Sequence, residues 1–183
     1  SALVAQYFGA KQFQNCTRSI IQALYIALVS YPLLILFIPL IKYVYIWTDQ
    51  EKELSTLALL YARMMLIGCI FFLIKTAIAS FFIGIGKTTI ILIAHLASTV
   101  LNIPLNFVLI FGKLGFPPLG IQGAALATIF ASCISLTILL FFFWYEISQG
   151  KFKVRGLLKI DGEIIRKLVL FGIPAGIGPF LNW

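Results

Sequence analysis

The chain has 183 residues, 61% hydrophobic and 11% charged, with a mean hydropathy of +1.05 and a formal net charge of +8. A soluble domain is nearer half apolar and a quarter charged, and the apolar residues here fall in runs of about 20 or more, the length that crosses a bilayer. Composition therefore excludes a water-soluble globular domain, and with it a basic domain able to hold nucleic acid, and predicts an all-α integral membrane protein.

Residues 1–8 (SALVAQYF) read as the end of a helix, closed by Gly9. A full span runs from about Ile20 to Tyr45, expected to break at Pro32 and Pro39, and the next from about Leu54 to Ile83. After GIGKTT comes a span from about Ile90 to Phe111, and after GKLGFPPLGIQG another from about Gly120 to Tyr145. Strand alternation is weak, so a barrel is excluded, and helices bond their own backbone in lipid. A polar linker, SQGKFKVRGLLKIDGEIIRKL, precedes a last helix that starts near Ile164. That helix holds Gly172, Pro174, Gly176, Gly178 and Pro179, a pattern that predicts a kink or local unwinding. Ser1 and Trp183 both lie inside apolar stretches and no signal-peptide pattern is present. The chain reads as a piece of a longer polytopic protein.

Charge orients these segments. Lys11, Arg18, Lys87, Lys151, Lys153, Arg155, Lys159, Arg166 and Lys167 fall on one side and Lys42, Lys52 and Lys113 on the other. Lys and Arg mark the cytoplasmic side, so the linker is expected in the cytoplasm, where its basic residues suit acidic lipid. Cys16, Cys69 and Cys133 are three, far apart and without C-x-x-C spacing, so they read as packing residues and no metal site is expected.

Polar residues inside the spans carry the functional signal. In HLASTVLNIPLNFVLIFG, residues 95–112, His95, Asn102 and Asn106 share one helix face, with Ser98 and Thr99 beside them. Such a stripe must face other helices or a wet cavity, because an unpaired amide in lipid costs several kcal/mol. Pro104 frees the carbonyl of Val100, so a carbonyl and two amides are expected to form a small group of oxygen ligands. Lys75 is the other anomaly: eleven uncharged residues, 64–74, precede it, which places a charge near mid-membrane. No acidic residue lies deep in any span, so an acid elsewhere in the protein is its expected partner; Arg63 is near enough to an interface to snorkel. GIGKTT resembles a P-loop end but has Phe81 where the motif needs glycine, and there is no catalytic constellation, so no nucleotide, cofactor or enzyme activity is expected. Gly123, Ala127, Ala131 and Ser135 form one row of small residues and Gly120, Ala124, Thr128 and Ser132 a second, both read as helix-packing seams.

LVAQYFGA, GIGKT, LNIPLNFVLIFG, LGIQGAALAT and FGIPAG, in this order and spacing, resemble the multidrug and toxic compound extrusion (MATE) family across essentially the whole chain. The resemblance implies a two-lobe, twelve-helix transporter. Residues 1–147 would be the N-terminal lobe without its first helix, 148–163 a cytoplasmic inter-lobe linker and 164–183 the start of the second lobe. It implies a monomeric, multi-pass cell-membrane antiporter that exports organic cations and amphiphilic drugs in exchange for H+ or Na+ by rocking its lobes. Many prokaryotic members couple through an Asp on the first helix and an Asn-x-x-x-Asp pair on the fifth. Here Asn102 matches the first member of that pair, while Asn106 stands where the Asp would be and cannot titrate. Either amide could still ligate Na+. By the same resemblance Thr128 lies in the sixth-helix region that supplies hydroxyls, Pro104, Gly172, Pro174 and Gly176 are kink or hinge positions, and Lys75 has no assigned role and should face away from the main cavity. A lipid-linked oligosaccharide flippase of similar architecture and a structural subunit without transport are the competing readings.

Overall fold

A bilayer-spanning chain has to close its backbone hydrogen bonds within each segment, and this one does so in seven helices among the described residues. The structure, a computed structural model, describes residues 1–47, 52–150, 152 and 159–181. The helices are α1 (Ala2–Gly9), α2 (Phe13–Leu36), α3 (Ile38–Trp47), α4 (Lys52–Gly84), α5 (Thr88–Phe111), α6 (Ile121–Ser148) and α7 (Gly162–Leu181). Among the described residues four stretches are long and apolar enough to cross a membrane: Phe13–Ile41, Glu53–Gly84, Thr88–Phe111 and Ile121–Ser148. Their outer faces are apolar, with Trp144 75% and Phe141 69% exposed, a surface that suits lipid and not water. The all-α membrane architecture expected from composition is the one observed.

The first span departs from expectation in two ways. It begins at Phe13, and it breaks once, at Phe37, not at both prolines. Pro32 lies inside α2. Its missing N–H leaves the carbonyl of Leu28 free, a single bond lost within 24 residues of helix. Pro39 is the second residue of α3, in a first turn whose N–H groups have no intrahelical partner anyway. In α7 the helix is continuous through Gly172, Pro174 and Gly176, so the chain is not unwound there. The side chains of Lys42 and Lys52, and linker residues Lys151, Lys153 and Arg155, lie outside the described residues.

The turn between α5 and α6 is built by glycine and by backfolding. Gly112 takes φ +68 and its place in the left-handed region lets Lys113 N–H bond the Val108 carbonyl at 3.0 Å. A Cβ at Gly112 would also lie 2.5 Å from Pro118 N. Leu119 and Gly120 then donate to the carbonyls of Leu109 and Ile110, at 3.0 and 3.2 Å, and so satisfy the last turn of α5.

Packing follows the small residues. α6 lies against both α5 and α4, α4 against α2, α1 and α3 against both α2 and α4, and α7 against α2. Gly123, Ala127, Ala131 and Ser135 are all buried, as their spacing predicted. A Cβ on Gly123 would sit 2.5 Å from the Leu109 carbonyl oxygen, so the α5 and α6 backbones touch there. At the Lys87 end an aromatic cluster closes the bundle: Phe81 meets Phe82, Phe143 and Phe152 edge-on, with centroids 5.4, 5.0 and 5.1 Å apart.

Gly123→Val should therefore lower stability by about 3 kcal/mol, because backbone, not a movable side chain, fills the space. Thermal unfolding of the full-length protein in detergent checks it. Gly9→Ala, where a Cβ meets nothing within 4 Å, should leave the midpoint unchanged.

Candidate functional site

The amide stripe on α5 is present and partly closed on itself. Asn106 Nδ2 donates to Asn102 Oδ1 at 2.9 Å and to the Asn102 carbonyl at 3.1 Å. The second bond fixes the amide orientation, because only a nitrogen can donate to a carbonyl. Asn106 Oδ1 is thus left as the acceptor that bonds no described group. Both side chains are half-buried. Ser98, on the same side, donates to the Ala131 carbonyl of α6 at 2.7 Å, so the stripe flanks the α5–α6 seam. His95 and Thr99 are exposed. The Val100 carbonyl freed by Pro104 does not join the amides. Two residues are about 200° of helix, and Val100, 65% exposed, faces the other way.

Thr128 and Lys75 form a separate place. They line a cavity of about 650 Å³ between α4 and α6, together with Ala62, Cys69, Phe72 and Ser132. Asn102 and Asn106 are not part of its wall. Thr128 Oγ1 donates to its own helix, at the Ala124 carbonyl, 3.0 Å away. Lys75 Nζ stands 5.2 Å from the centroid of the Phe72 ring. Gly68 lets α4 approach: a Cβ there would lie 2.4 Å from Ile129 of α6. The sequence-predicted site residues thus divide between the α5 flank and the α4–α6 groove. The hinge candidates Gly172, Pro174 and Gly176 are exposed on α7, away from both.

Three side chains that sequence reasoning passed over tie the Lys87 end together. Glu146, buried near the end of α6, forms an ion pair with Lys87 in the turn before α5. That pairing engages the lysine of GIGKTT with protein. Gln22 of α2 is fully buried; its Nε2 donates to the Lys159 carbonyl at 2.9 Å and its Oε1 accepts from Asp161 N–H at 3.3 Å. Asp161 in turn caps α7 by accepting from Glu163 and Ile164 N–H at 3.1 and 3.2 Å. Phe152, 2% exposed, inserts from the linker between Phe13 and Phe81. A glutamate at one span end and a glutamine within another were the only sequence signals, and neither specifies its partner, 59 residues away for Glu146 and 137 for Gln22.

The MatE family model matches residues 1–108. The chain is 28% identical to the probable multidrug resistance protein NorM of Bacillus licheniformis over 98% of its own length and 40% of that protein's. It is 30% identical to the protein of the same description from Synechocystis over 100% and 40%, and 34% identical to the probable multidrug resistance protein YoeA of Bacillus subtilis over 66% and 27%. The chain spans about 40% of the length of the curated relatives it matches over its full extent. In fold it is similar to an inward-facing multidrug resistance MATE family transporter of the MOP superfamily, with a TM-score of 0.78, 21% identity, and coverage of 94% of this chain and 38% of that one.

Gln22→Leu should release the start of α7, since two bonds worth about 1 kcal/mol each are lost. Limited proteolysis of the full-length protein should then cut between 150 and 162 several times faster than in the wild type.

Proposed function

We propose that this chain, which belongs to the MatE family, is part of a multidrug efflux transporter that exports amphiphilic drugs and organic cations in exchange for H+ or Na+. Residues 1–147 are read as its N-terminal lobe, 148–163 as a cytoplasmic linker and 164–183 as the start of its second lobe. The α5 amide pair carries the coupling part of this reading. Two amides in a largely apolar helix need a reason to be there, and a half-buried carbonyl oxygen with no donor among the described residues can meet a cation or its water. Asn106 supplies a neutral ligand where a carboxylate would supply a charge, so the titrating group of a proton-coupled cycle lies on another helix. Asn102 holds Asn106 in place. Thr128 is a secondary candidate on the α4–α6 side, and Pro104, Gly172, Pro174 and Gly176 are candidate hinges for lobe movement.

The names of the relatives support drug export, and the fold supports a two-lobe design. A lipid-linked oligosaccharide flippase would need several cations to hold a pyrophosphate; the described cavity offers one, Lys75. The drug-exporter reading is therefore preferred.

Expressed at full length in drug-sensitive cells, Asn106→Leu and Asn102→Leu should each slow efflux of a cationic dye about tenfold, a loss of roughly 1.4 kcal/mol. Asn106→Asp should keep export. Full-rate efflux by both leucine variants, at wild-type protein levels, would remove the α5 pair from the coupling site.

A further inference from the structure

The α4–α6 groove is chemically lopsided. Ala62, Met65, Leu66, Cys69 and Phe72 recur at helical spacing along one face of α4, and Lys75 closes that face at one end. From Ala62 to Lys75 the groove follows thirteen residues of helix, about 20 Å. Its 650 Å³ lies within the range of about 300–1,000 Å³ usual for small-molecule sites. Phe72, on its wall, is 53% exposed, so the groove opens onto the outer apolar surface of the bundle.

Lys75 meets no carboxylate among the described residues. Glu146 pairs with Lys87 and Glu163 with Lys167, while Asp161 caps α7. Glu53 is in the first turn of α4, about six turns from Lys75. The Phe72 ring is the contact the ammonium makes, and a ring face does not replace an anion. Thr128 already bonds Ala124. One point charge with three donors, no guanidinium fork beside it and a long apolar trough suit a monoanion on a single tail. They do not suit a dianionic phosphate.

We propose that this groove binds a single-tailed amphiphile drawn from the bilayer, with its carboxylate on Lys75 Nζ and its chain laid along Phe72, Cys69, Leu66 and Met65 towards Ala62. The site is distinct from the α5 amide pair and does not depend on how transport is coupled.

The test uses the full-length protein in lipid nanodiscs with a diazirine-bearing hexadecanoic acid, irradiated and mapped by peptide mass spectrometry. Adducts should fall within 62–75 and 128–132. Excess hexadecanoate should reduce them about fivefold or more, hexadecanol should reduce them less than about twofold, and Lys75→Gln should reduce labelling about fivefold while Lys75→Arg retains it. Competition in the wild-type protein carries the test should Lys75→Gln fail to fold. Absence of adducts in these segments, as would follow if the rest of the protein covers the groove, overturns the proposal. So does equal competition by acid and alcohol, or labelling indifferent to Lys75.

Discussion

Lipid offers no hydrogen-bond partner, so a polar group placed in a membrane helix has to find one in the protein. Several intramembrane polar side chains described here meet that constraint within their own helix or on a neighbour. Thr76, Thr128 and Thr137 return their hydroxyls to the carbonyl four residues back, at 2.8 to 3.0 Å. Asn106 turns onto Asn102, and Tyr31 reaches from α2 to the Ile67 carbonyl of α4 at 2.8 Å. Thr17 Oγ1 and Ser135 Oγ are the buried hydroxyls without a partner among the described residues. Half-buried Lys75, which faces the Phe72 ring, and Asn106 Oδ1 are further exceptions.

Lys75 and Asn106 lie at separate places on one packed three-helix unit. The backbone contact of Gly123 with Leu109, and the fit of Gly68 beneath Ile129, hold α4, α5 and α6 close together. Overpacking the Gly123 seam is costly because backbone fills the space there, while at Gly68 the neighbour is the Ile129 side chain. α7 is held differently: it packs on α2 and its start is secured by Gln22 and its own Asp161 cap.

Much of this was legible in the sequence because bilayer physics is read from composition. The four spans follow from apolar runs, and the buried row at Gly123, Ala127, Ala131 and Ser135 follows from spacing alone. Proline was read too simply: its effect depends on where in the helix it falls, which is why Pro39 starts α3 and Pro32 passes without a break. The proposed oxygen group failed on angle, since Val100 and Asn102 point apart. Lys75 stood out as a charge among apolar residues, but its groove depends on the approach of α6 at Ile129, which no local pattern encodes. The same holds for Gln22 with Lys159, Lys87 with Glu146 and Phe152 with Phe13, contacts that join residues far apart in the chain.

Ion-coupled export is the central proposal, supported by membership of the MatE family and by a polar stripe in a largely apolar helix. It is tested most directly by reconstituting the full-length protein in liposomes and following a cationic dye under an imposed proton gradient and, separately, an imposed sodium gradient. Dye movement driven by one of these ions and abolished when that gradient is collapsed is the predicted result. Dye movement indifferent to both gradients, or none from protein shown to be folded, would contradict it.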